Sequence, residues 1–291
     1  MLSKNNPNYR KQRMLFVYGP TASGKSDLAM HVAQHFGGEI IAADSQTVRR
    51  GMDIGTAKPT VEDQKAVPHH LLDVIDPYGR FTVFDFKRLA ESAIEGIQSR
   101  GRLPIIVGGT GLYMDALLYD FSMRPSAGEH SREELEEMRV DQLQGIITDE
   151  GYEMPQNKQN PRHLIRTIET QGQVPQKQEP RAGAIIVGID PGVEKLQQRI
   201  SLRADAMLEA GLSQEISNLV EKYGSPKQDF DAILYKIIYK NHNIDANELK
   251  EKMIIGDRQY AKKQRSWLRR NDDITWFEDP ENAFEYLKKL L

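Results

Sequence analysis

The chain has 291 residues, enough for two domains or for one large domain carrying an insertion, and a globular composition of 39% hydrophobic and 28% charged residues. Its longest strictly apolar run, Met14 to Tyr18, is 5 residues where a membrane helix needs about 20; the polar start, Met1 to Arg13, lacks the apolar stretch of a secretory signal; and without cysteine there are no disulfides, zinc thiolates or thiol nucleophile, so a cytoplasmic protein without a membrane partner is expected. With 39 basic against 42 acidic residues and a net charge of −3, any nucleic-acid partner has to be met by a local patch.

In chain order, Met14 to Tyr18 reads as a buried strand, Gly19 to Gly24 as a loop, and Lys25 to Phe36 as a helix stopped by Gly37-Gly38. Glu39 to Ala43 follows as a second strand, which gives a βαβ unit and a parallel sheet. Leu71 to Ile75 is a candidate third strand, Phe84 to Arg100 an amphipathic helix begun by Thr82 with Asp85 three positions on, and Leu103 to Val107 another buried strand. Composition then changes: Asp120 to Ser131 is linker-like, Ser131 and Glu134 make a capping box, and 132–180 shows helical patterns without a convincing strand. The expected organisation is a discontinuous α/β core, 13–120 and 182–291, interrupted by a helical insertion at 121–181. Strand character returns at Ala184 to Ile189, with Asp190-Pro191 as N-cap and first residue of a helix ending near Gly211. Helices at Ser213 to Tyr223, Asp231 to Asn241 and Asp245 towards Arg270, a strand at Ile274 to Phe277 and a helix capped by Asp279-Pro280 complete the pattern.

Gly19-Pro20-Thr21-Ala22-Ser23-Gly24-Lys25-Ser26 fits G-x-x-x-x-G-K-[ST] between a strand and a helix. Its glycines let backbone N–H groups converge on phosphate oxygens, the helix N-terminus adds positive potential, Lys25 supplies a point charge, and Ser26 can ligate Mg²⁺. The loop specifies a di- or triphosphate without saying what is done to it, so a kinase using ATP remains open on these residues alone. Asp44-Ser45 follows the second strand, where open α/β sheets place ligands; Asp44 can serve as a base, a metal ligand or a cap for the segment starting at Gln46. Thr110, in Val107-Gly108-Gly109-Thr110-Gly111, holds the same position after a later strand.

Four further motifs, Gly51 to Lys58, Val67 to Asp73, Leu103 to Tyr113 and Arg258 to Gln264, make the chain closely similar to the tRNA dimethylallyltransferases from about Met14 to Trp267. The resemblance implies a P-loop NTPase-like parallel sheet flanked by helices, with an inserted helical tRNA-binding domain. It implies transfer of a dimethylallyl group from its diphosphate to N6 of the adenosine at position 37, beside the anticodon. By the same resemblance, the loop (Gly19, Thr21, Ala22, Ser23, Gly24, Lys25 and Ser26) holds the diphosphate rather than ATP, with Mg²⁺ on Ser26. Asp44 is the expected base, with Lys25 and Arg203 beside the leaving diphosphate. Asp44, Ser45, Gln46, Thr47, Thr110, Arg132, Arg162, Arg166 and Lys236 are expected to touch the tRNA anticodon stem-loop, and the protein to act as a monomer.

Some positions depart from the family pattern. Arg49 stands where a tyrosine is usual, Leu234-Tyr235-Lys236-Ile237 replaces Gly-Tyr-Lys-Glu, Asp257 replaces threonine, and Gln159-Asn160 replaces Asn-Asp. From Glu251 to Arg270 the chain carries a net +5, the best candidate patch for phosphates. His31 and His35 share a helix face without a third metal ligand, His69-His70 suit a structural role, and Trp267 and Trp276 are expected to be core anchors.

Overall fold

The computed structural model describes residues 13–121, 130–173, 179–226, 230–241 and 243–291. Six strands, β1 (Met14–Tyr18), β2 (Gly38–Ala42), β3 (His69–His70), β4 (Leu103–Gly108), β5 (Ala184–Ile189) and β6 (Thr275–Phe277), form one parallel sheet in the order β3-β2-β4-β1-β5-β6. In the centre Val17 lies level with Val107 on one side and Val187 on the other. All five β1 residues are buried, as expected of a strand covered on both faces.

Helix α1 (Lys25–Phe36) lays Leu28, Ala29, Val32 and Ala33 against Ile105, Val107, Val187 and Ile189, and the last helix adds Phe284 and Leu287 to the same cluster. Each such aliphatic side chain contributes about 1.5–3 kcal/mol on full burial. α2 (Val61–Ala66) and α3 (Val83–Ser99) both begin with a capping box, at Thr60/Asp63 and at Thr82/Asp85. α3 buries Phe86, Ala90, Ile94 and Ile97 and packs against β4 and α4 (Gly111–Leu118).

By its internal contacts the chain divides into two compact units, Tyr119–Glu179 and the two segments flanking it. The smaller unit holds α5 (Arg132–Glu137), α6 (Val140–Asp149) and α7 (Pro161–Glu169) around Leu135, Leu143, Ile147, Leu164, Ile165 and Ile168. The larger unit continues after β5 with α8 (Val193–Glu209), α9 (Leu212–Tyr223), α10 (Ile233–Lys240), α11 (Ala246–Leu268) and, after β6, α12 (Pro280–Lys288). Helices α8 to α11 enclose a second apolar cluster that includes Met52, Met207, Leu212, Leu234, Tyr235 and Met253.

Two local expectations fail for backbone reasons. Leu71 and Asp73 adopt φ of 64° and 54°, which a strand cannot contain, so β3 is the preceding pair His69–His70, while Val74 donates to the Val48 carbonyl at 2.7 Å and Ile75 forms an isolated bridge to Arg49. Asp190-Pro191 does not cap α8; Gly192 does, at φ 87°. The Asp190 carboxylate instead accepts from Arg265 at 3.0 Å and Arg269 at 2.7 Å. Burial alone would raise this carboxyl, but those two guanidiniums hold it below the usual aspartate range. Two of the seven cations foreseen for phosphates, Arg265 and Arg269, are thereby tied to a buried carboxylate.

Candidate active site

The carboxyl ends of β1, β2 and β4 meet α8 and α11 at one edge of the sheet, and each strand delivers one part of the site. After β1 the chain turns through the phosphate loop. A Cβ on Gly19 would lie 2.9 Å from the Ile189 carbonyl, Ala22 is held at φ 60°, and Gly24 caps α1 at φ 94°. A left-handed alanine costs about 1–2 kcal/mol, strain of the kind concentrated at ligand sites. Ser23 is fully buried, its N–H donating to the Pro20 carbonyl at 3.3 Å. Lys25 folds back so that Nζ donates to the same carbonyl at 3.2 Å. Although part of the residue surface is open, the ammonium is enclosed by the loop; this burial, and the nearby Arg203 charge, bring it down to about 8 against the pull of Asp44 and Asp27. Ser26 stands exposed at the start of α1.

Two helices hold the loop from outside. From α8, Arg199 donates to the Ser23 carbonyl at 2.7 Å, and Arg203 donates to the Thr21 hydroxyl. Arg203 Nε is buried and has no hydrogen-bond partner among the described residues, a donor suited to an anion in the loop. From α11, Gln264 Oε1 accepts the Thr21 N–H at 2.8 Å.

After β2, Asp44 Oδ1 accepts the N–H groups of Gln46 at 2.7 Å and Thr47 at 3.3 Å. The segment it closes is a run of turns, not a helix, so Asp44 caps a turn with one oxygen while the other takes no hydrogen bond among the described residues. Thr110, after β4, accepts the Ser45 N–H at 3.3 Å and lies beside the Tyr260 hydroxyl, with Gln264 beside the same phenol. Gly108 permits this approach, since a Cβ there would collide with the Ala43 carbonyl. Tyr113 stacks on Phe86 with ring centres 4.6 Å apart, and burial pushes its phenol up to about 12. Burial likewise raises Tyr260. Both phenols are therefore neutral donors beside the Asp44 charge. The arrangement can hold a diphosphate at the loop and present one carboxylate oxygen to a proton donor beside it.

The departures are absorbed structurally. Arg49 is buried and donates to the carbonyls of Pro77 at 2.6 Å and Gly79 at 2.8 Å and pairs with Asp231 at 3.0 Å. Leu234 is 3% exposed in the second apolar cluster, and Ile237 lies against Gly256 of α11. Asn160 still caps α7, accepting the Arg162 N–H at 3.0 Å.

Several residues at the site had no role assigned from the sequence. Asp257, a departure from the family pattern, and Tyr260 and Gln264, within the Arg258 to Gln264 motif, recur at i, i+3 and i+7 and so share one face of α11, a spacing that could have pointed to them. Glu215 accepts from the N–H groups of Asp53 at 3.0 Å and Ile54 at 2.8 Å and from the Tyr235 hydroxyl, tying the Gly51 to Lys58 motif to α9 and α10. Of the residues expected on the RNA side, Ser45, Gln46, Thr47 and Thr110 gather around Asp44, and Lys236 is exposed on α10. In the smaller unit, Arg132 pairs with Glu169 at 2.8 Å and with Glu136 at 2.7 Å, Arg166 lies 3.6 Å from Glu169, and Arg162 is exposed. Trp267 is not a core anchor: it is 42% exposed, donates to Asp115 at 2.9 Å and lies beneath Arg270. His31 stacks on Phe284 at 4.0 Å, and His70 meets Glu39 at 2.7 Å, both structural uses.

A family model described as IPP transferase matches residues 47–271. The chain belongs to the IPP transferase family. Among relatives of this IPP transferase family member, the tRNA dimethylallyltransferase of Staphylococcus carnosus is 35% identical over 296 residues, spanning 94% of this chain and 93% of that protein. The tRNA dimethylallyltransferase of Bacillus subtilis is 34% identical over 300 residues, with 97% and 96% covered. The full-length tRNA isopentenylpyrophosphate transferase of Bacillus halodurans superposes with a TM-score of 0.72 at 33% identity, over 96% of this chain and 95% of that one. A eukaryotic dimethylallyltransferase solved acting on tRNA gives a TM-score of 0.75 at 27% identity, over 92% and 74%. The parallel sheet flanked by helices is the P-loop NTPase-like fold of these neighbours, and no helix among the described residues is long and apolar enough to cross a membrane.

Proposed function

We propose that this chain transfers the dimethylallyl group of dimethylallyl diphosphate to N6 of adenosine 37 in the tRNA anticodon loop, with Asp44 as the base. The observation that carries the reading is the convergence of the Asp44 carboxylate with Lys25, Arg203 and the phosphate loop at one sheet edge. An exocyclic amine is a weak nucleophile, so its proton must leave as the N–C bond forms; Asp44 accepts it. As that bond forms the allylic C–O bond breaks, and the charge gathering on diphosphate falls among the loop N–H groups, Lys25 and Arg203. Tyr260 and Thr110 position the Asp44 turn, and the adenine has to leave its stack to reach it.

The exposed Ser26 hydroxyl is a hard oxygen donor fitted to Mg²⁺, and the described residues contain no cluster of three or more His, Cys, Asp or Glu side chains that would hold a metal without the substrate's oxygens. When bound, the ion neutralises leaving-group charge. The helices of 119–179, with Arg132, Arg162 and Arg166, together with Lys236, supply tRNA contacts, and the protein works as a cytoplasmic monomer. Incubating the protein with unmodified tRNA and labelled dimethylallyl diphosphate, then digesting to nucleosides, tests the reading. Label on N6 of adenosine 37 supports it, and label confined to free nucleotide or to no product overturns it.

A further inference from the structure

Asp257 sits on α11, 6% exposed, with Oδ2 4.0 Å from Arg203 Nη1. That distance is an ion pair without a hydrogen bond, and Asp257 takes no hydrogen bond among the described residues. A nearly buried carboxylate so poorly satisfied is costly in its charged form. Its cationic partner among the described residues is Arg203, whose Nη1 donates to Thr21 and whose Nε stays unpaired beside the phosphate loop. Asp257 thus places a negative charge against the same guanidinium that a diphosphate in the loop would use.

We propose that Asp257 is a positioning residue whose charge competes with the substrate diphosphate for Arg203, so that diphosphate binding is coupled to uptake of one proton from solvent by Asp257. The proposal rests on the reading of the loop as a diphosphate site. With Asp257 neutral, Arg203 turns its full charge to the anion; with Asp257 ionised, the anion meets a second negative group across one guanidinium. The groups facing Asp257 support this. Arg203 comes from α8, Tyr260 from α11 itself, and α10 lays Ile233 and Ile237 beside Gly256 and carries Lys236 and Lys240. Across Arg203 and Tyr260 lie Lys25 and Asp44. Burial raises the Asp257 carboxyl above the usual aspartate range even though Arg203 pulls it down, so protonation in the bound state starts from a displaced equilibrium.

The test is the pH dependence of inorganic pyrophosphate affinity in Asp257→Asn against wild type, with Asp257→Ser as a second neutral variant should the amide perturb folding. Titrations of Lys25 and of pyrophosphate are common to all three proteins and cancel in the comparison. The variants are expected to bind pyrophosphate about tenfold more tightly than wild type at about pH 8 and to converge with it at acid pH. Calorimetry in two buffers of different ionisation enthalpy then shows proton uptake in wild type exceeding that in the variants. Weaker pyrophosphate binding by the variants at every pH means that Asp257 merely holds Arg203 in place, and parallel profiles mean that it does not sense the ligand; either overturns the proposal. Failure of wild type itself to bind pyrophosphate overturns the diphosphate reading, a result distinct from both.

Discussion

Gln264 Oε1 accepts the Thr21 N–H at 2.8 Å, joining α11 to the phosphate loop across 243 residues of sequence. Both groups are buried, so removing the acceptor strands a donor in the loop. Gln264→Ala should weaken pyrophosphate binding and cost about 1–3 kcal/mol of stability. Isothermal titration with denaturant unfolding checks this; intact affinity would mean that the loop holds its shape unaided.

Lys25 gives a prediction of opposite sign for stability. Its native ammonium is lowered to about 8, so above that pH it loses charge and diphosphate affinity should fall. In the free protein the unfolded chain binds the extra proton from about pH 8 up to the ordinary lysine range near 10.4, so stability rises with pH across that window. Lys25→Ala should lose about ten- to hundredfold in pyrophosphate affinity, the worth of a charge-assisted contact of about 1.5–3 kcal/mol, without a lower melting temperature. Melting temperatures of the free proteins across that range provide the check.

Glu39 tests the opposite end of the sheet. It opens onto Arg100 at 2.7 Å and His70 at 2.7 Å from a nearly buried position near the start of β2. The Arg100 hydrogen bond, and secondarily that of His70, hold its carboxyl below the usual range. Its stabilisation is therefore full above the ordinary glutamate pKa and is lost as pH falls through the lower native value. Glu39→Gln should lower the melting temperature at neutral pH, flatten its acid dependence and leave pyrophosphate affinity unchanged. A fall in that affinity would show that the two ends of the sheet are coupled.

The basic stretch on α11 should separate into two functions. Lys262 and Lys263 are exposed and carry no ion pair among the described residues, whereas Arg265 and Arg269 satisfy Asp190. Neutralising Lys262 and Lys263 should flatten the slope of log K for tRNA against log salt by about one unit each. Arg265→Gln should instead lower stability. An unchanged slope in the double lysine variant would make that face a solvated surface only.

What the sequence made legible was local. The phosphate loop, the capping boxes at Thr82/Asp85 and Ser131/Glu134, and the central strands follow from patterns within a few residues, and they stand where the patterns put them. The motif resemblance brought Asp44, Lys25 and Arg203 to one place. What it left dark was tertiary: Asp190 looked like a helix cap because the arginines that claim it lie 75 and 79 residues away. Trp267 looked like core because composition does not reveal that its indole lies at the surface against Gly111. The roles of Gln264 and Asp257 need the crossing of α8 and α11 over the loop, which no local pattern encodes.

The central claim is that Asp44 takes the proton from N6. Asp44 already closes its turn through Oδ1, and asparagine offers the same acceptor, so Asp44→Asn keeps the turn while losing the base. The measurement is single-turnover transfer of labelled dimethylallyl to unmodified tRNA by this variant, alongside its affinities for tRNA and pyrophosphate. The account predicts both affinities within a few-fold of wild type and a transfer rate lower by about 10²–10⁴. Transfer within about tenfold of wild type, below the range for loss of a general base, would contradict it.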